Sequence, residues 1–282
     1  MNQRLRPFLV WISAPLCIVL AITGVGAFWP AIYSHEKPVS AAGGVASYVL
    51  DLFLVVPILV VTAILARRGS ICALLIWTGT LGFLSYNFMI YTFAVRFNPM
   101  FPAYCAVLGL SFYGLITVRE LLSPQEVAKS FAPGAPRKSI AVAFLLLAVT
   151  AAVGELKEIV AAIRSGQTPP SVIETGQLTS PIHVLDLCFL LPALVIAAVL
   201  LLRRRDKGFV LAPVLSVVLI LISLEVITIV MLLVKKGLAS DFSQAVSFAV
   251  AGALMTVLLS WYFRPRRNGR QEASRLASGF SA

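Results

Sequence analysis

The chain reads as an all-α integral membrane protein: eight transmembrane helices, in two parallel four-helix repeats, with both termini cytoplasmic. Composition is the first ground. Of 282 residues, 59% are hydrophobic and 12% charged, where a soluble domain carries about 25% charged residues. A soluble core of this length cannot hide so much apolar surface. Segmentation is the second ground. The chain divides into eight apolar runs, each near the roughly 20 residues that a helix needs to cross hydrocarbon. None alternates polar and apolar residues as a barrel strand would. The third ground is a motif written twice. Val49-Leu50-Asp51-Leu52-Phe53-Leu54-Val55-Val56-Pro57 returns as Val184-Leu185-Asp186-Leu187-Cys188-Phe189-Leu190-Leu191-Pro192.

The first run, 7–29, follows Arg4 and Arg6 and ends in small residues, in the manner of a secretory signal. It is longer than a signal's apolar region and has a counterpart at 139–163, so it is expected to be a retained helix. The second run, 47–66, holds Asp51 and Pro57 and stops at Arg67-Arg68. The third, 71–95, carries a mild polar patch of Tyr86, Asn87 and Tyr91. The fourth is 100–118. A linker follows at 119–138, where Pro124, Pro133, Gly134 and Pro136 stand among charges. The fifth run, 139–163, carries Glu155, Lys157 and Glu158 toward its end. The sixth, 184–202, is announced by Ser180-Pro181, an N-cap followed by proline at the first helical position, and it stops at Arg203-Arg204-Arg205. The seventh, 208–234, holds Glu225 among leucine, isoleucine and valine. The eighth is 242–263, and a basic tail, 264–282, ends the chain.

Residues 1–118 and 139–263 are thus expected to form the two repeats. Leu81 and Ser85 align with Leu219 and Ser223, which sets Asn87 opposite Glu225. Each half has an even number of helices, so both enter from one side and the repeat axis lies along the membrane normal. Both prolines are expected to kink their helices.

The net charge of +11 follows from topology and points away from nucleic acid. Lys and Arg number two, two, four, four and five in the N-terminus, 67–70, 119–138, 203–207 and the tail. The alternate loops hold only Lys37, Arg96, Lys157, Arg164, Lys235 and Lys236. Cytoplasmic loops carry the basic excess, so the crowded side is inside. The lipid bilayer is the first partner.

Ionisable groups at membrane depth are costly unless paired or wet, and each marks a candidate site. Asp51, Asp186, His183, Glu155, Glu158 and Glu225 all fall in the outer part of their helices on this topology. Asp186 sits roughly 9 Å below the Ser180 cap at 1.5 Å per residue, and His183, three residues earlier, shares its face. Together they suggest an outward-facing polar pocket that binds or translocates a cation or small polar solute. A membrane sensor or accessory subunit is a second possibility. A membrane-embedded metalloenzyme is a third, since His183, Asp186, Glu155 and Glu225 offer nitrogen and oxygen donors, though without diagnostic spacing. Cofactors stay open. No Gly-x-Ser-x-Gly or phosphate-loop motif occurs. Cys17, Cys72, Cys105 and Cys188 lie singly in apolar runs and read as packing residues.

The segment Ser180-Pro181-Ile182-His183-Val184-Leu185-Asp186-Leu187-Cys188-Phe189-Leu190-Leu191-Pro192, with Arg203-Arg204-Arg205 and Gly208 to Leu215 after it, resembles a group of bacterial polytopic membrane proteins to which no activity is assigned. The resemblance covers mainly the sixth and seventh helices. It implies a bacterial inner-membrane location and no particular chemistry.

Overall fold

A computed structural model describes residues 6–26 and 28–264. The basic tail beyond Arg264 lies outside the described residues. Every regular element among them is helical, with no strand. In hydrocarbon each backbone N–H and C=O must find its partner inside its own segment, which a helix does and an open sheet does not. Eight helices are long and apolar enough to cross a membrane: Pro7–Gly26, Pro38–Arg67, Ile71–Ala94, Phe101–Leu121, Arg137–Ser165, Pro181–Leu202, Asp206–Lys235 and Ser243–Tyr262. They are the first to eighth spans below.

Several boundaries differ from the apolar runs, for local reasons. The second span starts at Pro38 and not near 47. Pro38 occupies the first helical position, and the small residues Ser40 to Gly44 keep the helix going where hydropathy is low. The 119–138 stretch contains a helix of its own. Ser123 accepts from the Glu126 N–H and caps a short helix, Pro124–Phe131, whose Val127 and Ala128 are buried in the second core. The fifth span runs on to Ser165, where Gly166 ends it at φ +65°, a left-handed conformation that suits glycine. The sixth span begins at Pro181, and the Ser180 hydroxyl accepts from the His183 N–H at 3.3 Å.

The repeated motif has one structural outcome. Asp51–Val55 and Asp186–Leu190 are each a π-helical turn inside a longer helix. The N–H of Val56 reaches back five residues to the Asp51 carbonyl, and that of Leu191 does the same to Asp186. Proline causes it. Pro57 and Pro192 lack an N–H, and their rings press on the carbonyl four residues back. A turn widened by one residue moves that carbonyl aside without breaking the helix. The expected kink is therefore a π turn that opens at the acid.

The third span is the centre of the bundle. Its 18-residue apolar window is 72% buried, against 28–39% in the other seven spans. One core gathers the first four spans around Trp77, Phe83, Phe88 and Leu59. A second gathers the later spans around Phe144, Leu194, Leu201 and Met255. Leucine gains little by leaving lipid for a helix interface, so close packing and polar ties hold such helices together. Trp77 Nε1 donates to Ser13 Oγ at 2.9 Å and joins the third span to the first. Tyr262 donates to the Phe209 carbonyl at 2.6 Å and joins the eighth to the seventh. Ser13→Ala leaves the indole N–H without its acceptor and is expected to cost about 1 kcal/mol, read as a lower unfolding midpoint in detergent.

Candidate functional site

The connections 28–37, 95–100, 166–180 and 236–242 share one end of the bundle, the far end, opposite the Arg67 and Arg203 turns. Below them lies a cavity of about 660 Å³, walled by the second, third, fifth, sixth, seventh and eighth spans. Leu147, Leu194, Ile222, Ile229 and Phe248 make most of its surface apolar. Three acids line it: Glu36 near the mouth, Asp186 and Glu225. No Lys, Arg or His is among its lining residues.

Each acid is held differently. Glu225 is 7% exposed and accepts from Asn87 Nδ2 at 2.8 Å, with Ser47 beside it on the second span. Asp186 accepts from the Tyr86 hydroxyl at 2.8 Å. Tyr86 and Asn87 are neighbours on the third span, so one turn of the central helix supplies a donor to each acid. The Glu155 carboxyl faces Asp186 from the fifth span, and its Oε2 is buried without a hydrogen-bond partner. Two ionised carboxyls are acceptors only, and a facing pair needs a proton or a cation between its oxygens. Of the lining acids, Asp186 is thus backed by a second carboxyl, Glu155, which is not itself on the wall, while Glu225 stands apart with Asn87.

The six residues singled out in the sequence therefore separate. Asp186 and Glu225 line the cavity, and Glu155 stands behind Asp186. Glu158 and His183 do not line it. They lie 3.6 Å apart, Glu158 Oε2 to His183 Nε2, and Glu158 Oε1 accepts from the Ser171 N–H at 3.0 Å. That bond ties the short helix Pro170–Thr175 to the fifth span, so the pair fastens the 166–180 connection over the far end. Asp51 is 0% exposed, is absent from the cavity wall, and neither of its oxygens has a hydrogen-bond partner. Glu225 is the acid whose field reaches it.

The halves interlock at this end. Lys37 Nζ donates to the Ile173 carbonyl at 2.6 Å, and Ser40 Oγ to the Thr175 carbonyl at 2.9 Å. Lys37 is thereby turned to the 166–180 connection and is not on the cavity wall. Glu36 Oε1 accepts from the Arg96 N–H at 2.7 Å, which leaves its second oxygen for the mouth.

Tyr86 and Asn87 register in the sequence only as a mild polar patch, yet they orient Asp186 and Glu225. Tyr91 and Tyr104 lie inside the bundle. They pack with Tyr48 in the first core, ring centroids 5.0–6.3 Å apart, and all three are 5% exposed or less.

Among the described residues no group of three or more His, Cys, Asp or Glu side chains is placed to hold a metal ion. His183 turns to Glu158, which divides the donor set that the sequence offers. No family model, curated protein or solved structure matches the chain.

Proposed function

We propose that this multipass membrane protein binds a cation in the far-end cavity, or passes it across the bilayer. One observation carries the proposal. The chain has 23 basic residues against 12 acidic, yet the cavity is lined by Glu36, Asp186 and Glu225 and by no basic side chain. A cavity with one sign of charge and low-dielectric walls focuses its field and raises the local concentration of the opposite ion. The Lys and Arg asymmetry between loops supports a cavity that opens outward, with both termini in the cytoplasm. The resemblance of the Ser180 to Pro192 segment supports a bacterial inner membrane.

The internal repeat is part of the proposal. Both Asp-x5-Pro motifs form π turns, and aligned residues meet across the middle of the bundle. Asn87 bonds its counterpart Glu225, and Gly79 packs against Val217, which the same alignment pairs with it. Contacts between equivalent positions are what an axis parallel to the helices would produce. On this view Glu225 is the acid that one half kept and the other replaced by Asn87.

The test is methylammonium binding and uptake in proteoliposomes. The double variant Asp186→Asn, Glu225→Gln keeps the volume of both side chains and removes both charges. It is expected to lower binding at least tenfold with an unchanged unfolding midpoint. Binding and flux equal to wild type would overturn the proposal.

A further inference from the structure

We propose that the cation is amphipathic, an amine head on an alkyl chain, and that its chain lies in the seam between the fifth and eighth spans. The inference rests on the cation proposal above and gives the ligand its chemical class.

Three observations point to a tail. First, most of the exposed area of the cavity wall is apolar, although hydroxyl and amide side chains stand beside the acids among the lining residues. A small hydrated ion pays to shed its water against leucine and phenylalanine, whereas an alkyl chain does not. Second, a shallow, open groove runs between the same two spans, lined by Val142, Leu146, Leu254 and Leu258. Leu146 is adjacent to Leu147 of the main cavity, and Leu254 is one turn past its Ala251. The two spaces therefore follow one seam, from the acids toward the Arg203 end. Third, the seam faces lipid. Val142 is 52% exposed, Leu146 61% and Leu254 44%.

The corresponding seam in the first half, between the first and fourth spans, is filled. Leu9, Leu16 and Leu20 of the first span are fully buried, and Ile12 approaches to 3.4 Å of the position that a Cβ on Gly114 of the fourth span would take. The open seam lies in the half that carries the ionisable cluster.

This geometry suits a ligand that arrives from the bilayer. Lipid tails are as apolar as leucine, so a chain sliding from lipid into the seam stays in hydrocarbon-like surroundings. Only the amine changes environment, from the membrane interface to Asp186 and Glu225. Lys138 lines the opposite end of the seam and repels a cationic head, which sets the polarity of the bound chain: amine at the far end, tail toward Lys138.

The probe is dodecylamine carrying a diazirine at the end of its chain, irradiated with the full-length protein in nanodiscs of zwitterionic lipid and mapped by peptide mass spectrometry. Label is expected on 142–147 and 251–258. Excess dodecylamine should suppress it tenfold, dodecanoate should not, and butylamine, which has the head without the tail, should do so only at much higher concentration. Ala251→Trp is expected to cut the labelling tenfold by blocking the seam. Leu146→Trp, at a lipid-facing position, should do the same if Ala251→Trp fails to fold. Label confined to other spans, or unchanged in both tryptophan variants, overturns the inference. If the seam stays unlabelled while methylammonium still binds through Asp186 and Glu225, the tail is wrong and the cation proposal stands. If methylammonium binding is also lost, both fall.

Discussion

Gly79→Leu forces the third and seventh spans apart and gives the largest loss of stability expected from any single substitution here. A Cβ at Gly79 would stand 2.6 Å from Val217 Cβ and 2.7 Å from the Val214 carbonyl oxygen. Neither neighbour can retreat. Val217 is β-branched and fixed at χ1 in a helix, and the carbonyl belongs to the helical backbone. Overpacking a core costs about 1–3 kcal/mol, and this site is at the top of that range because the whole span must move. The seventh span packs on both the second and third spans, so its displacement also reaches the cavity. Gly79 is eight residues from Asn87, roughly 12 Å along the axis, and the Asn87–Glu225 bond lengthens with it. Gly154→Leu is the control. An added Cβ there meets nothing within 4 Å, and losing a mid-helix glycine gains about 0.5–1 kcal/mol. Unfolding midpoints in detergent compare the two, and a Gly79→Leu protein as stable as wild type would remove Gly79 as the closing point of the bundle.

Helix number was legible because lipid makes hydropathy decisive. Each spanning run is long, and its backbone must be helical whatever its neighbours are. Helix starts were legible only where chemistry marks them. Ser180-Pro181 announces the sixth span, while the second span begins nine residues before its apolar run, because glycine, serine and alanine continue a helix without raising hydropathy. The duplicated Asp-x5-Pro was visible, but its meaning was not. A proline in an apolar run is compatible with a kink, a break or a π turn, and the choice depends on how the preceding turn packs.

The candidate site shows the same division. That Asp186 and Glu225 were costly could be read from their apolar surroundings. Which neighbour each acid meets could not, since the order of spans around a bundle is not written in any one of them. Hence Glu158 and His183, which the sequence groups with Asp186, face each other off the cavity wall. Asp51, which the duplicated motif aligns with Asp186, is fully buried and off the cavity wall. Tyr86 and Asn87 were under-weighted because a tyrosine and an asparagine are cheap at membrane depth when read alone. Their value comes from lying side by side on the most buried helix, one donor for each acid.

Asn87→Leu tests that value, and its sign is distinctive. Asn87 is 4% exposed and Glu225 7%, so the amide–carboxyl bond at 2.8 Å has little water to replace it. Removing the donor leaves the carboxyl with Ser47 as its nearest polar neighbour, and an under-satisfied buried acceptor costs about 1–3 kcal/mol. Removing both groups removes the debt. Asn87→Leu, Glu225→Leu is therefore expected to be more stable than the sum of its single variants predicts. Interhelical hydrogen bonds in membranes average about 0.6 kcal/mol, with a maximum near 1.7, and the coupling should approach the upper value because the acceptor is a carboxyl. The same two single variants divide stability from binding. Asn87→Leu keeps the acid but loses its orientation, so methylammonium binds more weakly by severalfold, while Glu225→Leu loses the charge and binds more weakly still. A double-variant cycle in detergent measures the coupling, and additive variants would mean that Asn87 and Glu225 touch without holding the third and seventh spans together.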